Sequence, residues 1–171
     1  MKRSVTRCPG RLAAIALALA LLFLPAQAAT AGDYAALDGV KGLDTVFDVT
    51  LGDPVMATIV FPAVREVYQD QNVRALPAPP RTVIVFHGEA VKLISSDRSG
   101  FDETGREALD KVADMIRQFK KDGVRMEVCM YAVKALGVAP KTLMPEIDRV
   151  GNGFIAVAGY QARGFSLVSV H

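Results

Sequence analysis

Hydrophobic and polar positions along this chain switch repeatedly between a period of two and a period near 3.6. Thr45-Val46-Phe47-Asp48-Val49-Thr50 is β-branched and aromatic, which predicts a strand. Gly52-Asp53-Pro54 then supplies a stop, an N-cap and a proline suited to the first helical position. Val55, Ile59, Val60, Val64 and Val67 form a helical stripe to about Gln71, which Pro62 is expected to kink or interrupt. Ala75 to Pro80 holds three prolines and reads as a connector. Thr82-Val83-Ile84-Val85-Phe86 is short and continuously apolar, ending at His87-Gly88. That pattern suits a strand covered on both faces, in the middle of a parallel sheet.

Asp102 and Glu103 open the clearest helix, with Leu109, Val112, Ala113, Ile116 and Phe119 on one face, Lys120 and Lys121 in the last turn and Gly123 as its stop. Val124, Met126, Val128 and Met130 alternate with Arg125, Glu127 and Cys129. The next strand is therefore expected to be half polar and nearer a sheet edge or a subunit contact, with Cys129 on its polar side. Val133 to Gly137 predicts a short helix, Ile147 to Val150 a short strand, and Phe165 to Val170 a final strand. Gly153 to Gly159 reads equally well as strand or buried helix. The alternation predicts an α/β layer fold with a mainly parallel sheet.

The 171 residues carry a formal charge of +2 and two cysteines, but the first 28 change that picture. Lys2, Arg3, Arg7 and Arg11 precede the apolar run Leu12 to Leu24, and Ala26-Gln27-Ala28 has a small-x-small pattern. This predicts an export signal cut after Ala28, and hence a periplasmic protein; the run is too short to span a bilayer. Removing the signal takes away four basic residues and no acidic ones, turning +2 into −2. About 143 residues remain, enough for one domain. Residues 29–43 are expected to be a loosely held N-terminal segment ahead of a single domain over 44–171. A mildly acidic domain gives no dense positive face, which argues against nucleic acid, and no later stretch reaches membrane-spanning length, so no membrane partner is expected after cleavage.

Cys8 leaves with the signal, so Cys129 is the one thiol of the mature chain. It is either buried and inert, paired between chains, or reactive. In a parallel sheet, reacting groups collect at the carboxyl ends of the strands. His87 ends one strand and Cys129 the next, so both should project at the same edge. A thiol just before a helix start has its thiolate favoured by the helix dipole. His87 is the second candidate, either as a charge or proton path or as a hydrogen-bonded structural residue. Lys92, read as part of the same loop, either meets an anion or is simply solvated. Cys129, His87 and the terminal His171 show no metal-ligand spacing, and Met126 and Met130 fit core packing on one strand face, so no metal is expected. There is no Walker loop, G-x-G-x-x-G, G-x-S-x-G, H-E-x-x-H or C-x-x-C, so no cofactor is expected either. The acidic pair Asp102-Glu103 is explained by the helix dipole.

Three stretches together resemble the DsrE/DsrF-like family: Val83-Ile84-Val85-Phe86-His87-Gly88; Val128-Cys129 followed by Ala135-Leu136-Gly137-Val138; and Gly153 through Tyr160-Gln161-Ala162-Arg163-Gly164-Phe165. The resemblance implies a three-layer α/β/α sandwich around a five-stranded parallel sheet, assembled as trimers or hexamers. It also implies strand, helix and strand for the tail, with the helix over about Asn152 to Arg163. Members that handle sulfur carry it as a persulfide on a cysteine matching Cys129 and pass it between proteins. The resemblance assigns no role to His87. The expectation is an exported, homo-oligomeric DsrE-like protein in which Cys129 serves as sulfur carrier or in thiol-redox chemistry, with a sulfur- or thiol-relay protein as partner. The alternative is a non-catalytic oligomeric binding module with a structural buried cysteine.

Overall fold

The computed structural model describes residues 34–171, which form one compact unit. The predicted signal peptide lies outside the described residues, as does the start of the segment that follows it. A 3₁₀ turn at Ala35–Leu37 opens the described chain, and Lys41 is tied to the later connector, its carbonyl accepting from the Ala78 N–H at 2.8 Å.

Five strands follow: β1 (Thr45–Val49), β2 (Thr82–Phe86), β3 (Arg125–Cys129), β4 (Asp148–Val150) and β5 (Ser166–Val170). All pair in parallel, in the order β4-β3-β2-β1-β5. The connecting helices are α1 (Pro54–Gln69), α2 (Gln71–Arg74), α3 (Ala90–Leu93), α4 (Glu103–Lys121), α5 (Met130–Ala135) and α6 (Gly153–Ala162). The continuously apolar β2 is central, as its composition requires. The chain adds β2, β3 and β4 in one direction and then returns across the sheet to β5. A right-handed crossover that reverses direction changes faces, so α1 and α4 cover one face while α6 covers the other. The protein is an α/β sandwich of the predicted class.

The larger core lies under α1 and α4, where Phe61, Phe86, Phe119 and Tyr68 meet at ring separations of 5.9 to 6.5 Å. Asp53 caps α1 through the Val55 and Met56 amides, with Pro54 at its first turn. The predicted stripe on this helix is rotated in the structure. Pro54, Ala57, Phe61, Val64 and Tyr68 face inward, while Val55 and Ile59 are exposed, Ile59 to 63%. Two aromatic rings bury more area than the valines and set the face. Pro62 does not interrupt α1, because it lies on the exposed side, where water reaches the carbonyl its ring leaves unpaired. In α4 the predicted residues Leu109, Val112, Ala113, Ile116 and Phe119 are all buried, Asp102 caps the Gly105 amide at 2.8 Å, and Gly123 ends the segment with φ +81°.

β3 lies one strand in from the β4 edge, and of its polar-side residues Arg125 is exposed while the other two are covered. Glu127 is 3% exposed and Cys129 4%, because α6 crosses over them. On that face Val46, Val83 and Val85 pack with Val157, Tyr160 and Phe165.

Asp122, just past α4, binds this helix to α1. It accepts from Arg65 Nε at 2.7 Å, the Tyr68 hydroxyl at 2.8 Å and Gln118 Nε2 at 2.7 Å. The Arg65 guanidinium, followed by the other two donors, holds its carboxyl below the usual carboxylate range despite burial. A depressed folded-state value stabilises the fold above the unfolded carboxyl pKa, near 3.9, and that contribution fades as pH falls through the lower folded value. Asp122→Asn should cost about 1–3 kcal/mol in urea unfolding at neutral pH. Between about pH 5 and pH 2 the substituted protein should lose less stability than the parent. Equal losses over that window would refute the linkage.

Candidate functional site

The carboxyl ends of β2 and β3 bring the two predicted residues together. Phe86 pairs with Val128, so the next residues, His87 and Cys129, are neighbours across one strand spacing, roughly 4.8 Å. Cys129 is the N-cap of α5, and its Sγ accepts the Ala132 N–H at 3.4 Å. The helix therefore starts at Met130, three residues before the predicted Val133, because the thiol itself serves as the cap. Met130 consequently lies on a helix and does not share a strand face with Met126. The α6 start closes over both residues. A Cβ built on Gly153 would lie 3.0 Å from Cys129 Cβ, 3.3 Å from His87 Cβ and 3.5 Å from the thiol sulfur, a fit tight enough that a side chain there would need its neighbours to give by a few tenths of an ångström. Asn152 caps α6 through the Phe154 amide at 2.9 Å.

His87 is held on several sides. Its amide donates to the Val49 carbonyl at 3.0 Å, and its carbonyl accepts from Ala90 N at 3.2 Å. Its ring meets Phe154 edge-on, with centroids 5.0 Å apart and planes at 73°. Its Nε2 meets the Asp48 carboxylate from β1. The arrangement is a carboxylate, an imidazole and a thiol on adjacent strands β1, β2 and β3, under one helix start. The Asp48 carboxylate orients the ring beside the thiol.

Two residues before Cys129 on the same side, Glu127 Oε1 accepts from the Tyr160 hydroxyl at 2.7 Å and from Arg125 Nε at 2.8 Å. Burial, with that bond to Glu127, pushes the Tyr160 phenol up to about 12. Tyr160 therefore stays protonated, and its hydroxyl anchors α6 to β3. Lys92 lies on α3 and pairs with Glu89 at 2.6 Å. His171 lies exposed beyond β5, and among the described residues no group of three or more His, Cys, Asp and Glu side chains is disposed to hold a metal ion. Sequence reasoning did not single out Asp48, Tyr160 or Phe154. Asp48 had a visible signal, a lone acid inside an apolar strand; Tyr160 and Phe154 had none before the tail was known to be helical.

The DsrE/DsrF-like family model matches residues 60–170, which include His87, Cys129 and all of α6. The chain belongs to the DsrE/DsrF-like family. This family is generally related to sulfur relay. Among solved structures, this DsrE-like chain is similar to MTH1491 from Methanobacterium thermoautotrophicum, a protein of unknown function, at 19% identity and a TM-score of 0.57, over 74% of this chain and 98% of that one. It is also similar to the ychN protein from E. coli at 12% identity and a TM-score of 0.45, over 74% and 99%. The first likeness speaks for the fold alone. No curated protein matches the chain.

The tight fit at Gly153 makes a direct test of the closure. Gly153→Ala should lower the urea midpoint, corresponding to about 1–3 kcal/mol, because the methyl group must push α6 away from Cys129 and His87. An unchanged midpoint would mean that the helix start is free to shift.

Proposed function

We propose that this DsrE-like protein is an exported sulfur carrier in which Cys129 forms a persulfide. The observation that carries the reading is the placement of Cys129 in register with His87, itself paired to Asp48, at the carboxyl edge of the sheet. In the proposed step the Cys129 thiol gives its proton to the free ring nitrogen of His87, and the resulting thiolate attacks the outer sulfur of a donor persulfide. The donor's S–S bond breaks as the Cys129 S–S bond forms, and the donor leaves as a thiolate. One persulfide is consumed and one is made, so no external oxidant or reductant enters. Asp48 orients the ring.

Cys129 is buried in the described structure, so transfer requires the start of α6 to lift. Phe154, 67% exposed, lies against the His87 ring at this helix start. The reading also has the protein working as a homo-oligomer with a sulfur-relay protein as partner. The exposed Leu167 and Val168 of edge strand β5 are apolar side chains that a second copy would cover.

Incubation with a persulfide donor should raise the intact mass by one sulfur atom in the parent and leave Cys129→Ser unchanged, and His87→Ala should slow the uptake. An unmodified parent sinks the reading. The purified mature protein should begin at Ala29.

The burial of Cys129 favours a second reading, a non-catalytic oligomeric module in which the thiol only packs and caps α5. Alkylation separates the two. Rapid labelling of Cys129 near neutral pH without denaturant supports the carrier. Labelling that appears only as denaturant unfolds the protein supports the module.

A further inference from the structure

The opposite, amino-terminal end of the sheet holds a cleft of about 620 Å³, within the usual size range of small-molecule sites. The starts of β2 and β3, the last turn of α6 and the residues around α2 surround it, so it is remote from the thiol. Four arginines line it, Arg74, Arg81, Arg125 and Arg163, against one carboxylate, Asp122. That carboxylate is already occupied by Arg65, Tyr68 and Gln118. Arg81 is paired with Asp44 and Arg125 with Glu127. Among the described residues Arg74 and Arg163 have no carboxylate partner. Arg74 reaches only the Gln69 side-chain oxygen, at 3.3 Å, and Arg163 lies against aromatic rings. The cleft therefore carries uncompensated positive charge.

The rings fix how that charge is presented. The Arg163 guanidinium sits 5.7 Å from the Tyr160 ring centroid and 5.9 Å from that of Phe165, and the Arg81 guanidinium sits 5.0 Å from the Phe165 centroid. A guanidinium held by its face on an aromatic ring keeps its N–H edge for an oxyanion, and its planar fork matches carboxylate or phosphate geometry. Tyr160 spends its proton on Glu127 and adds no negative charge. Pro79, Pro80, Val83 and Val124 supply apolar wall beside the cations. The volume is much larger than one inorganic oxyanion needs.

We propose that this cleft binds a small organic anion, with its phosphate or carboxylate head on Arg163 and Arg74 and its apolar body along the proline and valine wall. The site is independent of the chemistry at Cys129. Titration of the ¹⁵N-labelled protein with phenyl phosphate, benzoate and inorganic phosphate, followed at the Gly123 and Val124 amides, tests it. At least one of the two organic anions should give saturable shifts there, and it should bind more tightly than inorganic phosphate. Arg163→Gln should weaken that binding by about tenfold, as expected for loss of a charge-assisted contact. Arg117→Gln, at an exposed arginine on α4 outside the cleft, should leave it unchanged. Arg163 is exposed, so its replacement should keep the parent urea midpoint; if it does not, Arg74→Gln carries the same test. Three results overturn the proposal: no saturable shift with either organic anion, equal affinity in the cleft variants and the parent, or inorganic phosphate binding as tightly as the organic anions.

Discussion

The return of the chain from β4 to β5 is the constraint on which the rest depends. Because the sheet is built outward from β1 to β4 and then closed on the far side of β1, one connection alone must cross the second face. That connection contains α6, ten residues long, and it does the covering that α1 and α4 share on the other face. A short helix cannot seal five strands with apolar contact alone. Polar attachments accompany it: Tyr160 to Glu127 at its far end and Asn152 as the cap at its near end. The site at Cys129 exists because the near end of this helix comes down where β2 and β3 finish.

The same economy explains why charged groups sit beneath α6. Asp48, His87 and Glu127 project from the sheet on that side, a poor place for polar groups unless each is matched. They are matched in two separate sets, His87 with Asp48 and Glu127 with Tyr160 and Arg125. The first set adjoins the thiol and the second adjoins the arginine-lined cleft. A single short helix thus touches two polar environments at opposite ends of the strands.

The sheet was legible in the sequence because its strands are short apolar runs bounded by glycine and proline, and α4 because its period and both caps agree. The class of fold followed from the alternation of the two. The inward face of α1 was misread because its valines outnumber its aromatics, whereas area rather than number decides which side is buried. The polar parity of β3 pointed to a place near the sheet edge, where the strand lies, but not to the cover over Glu127 and Cys129. A pattern of Arg125, Glu127 and Cys129 records side-chain chemistry, not whether a later helix will cover it. The edge shared by His87 and Cys129 could be inferred from strand ends. Asp48 could not be joined to them until the strand order placed β1 beside β2.

Among the described residues β5 is the last strand, yet it pairs with β1, the first, and the Thr50 N–H reaches the Val170 carbonyl at 2.8 Å across 120 residues. Closing so long a loop carries a large entropic cost and is slow compared with local helix formation. Until residues 166–170 have emerged, one side of β1 has no partner and the sheet stays incomplete. Completion of the sheet therefore waits until the chain through residue 170 is available.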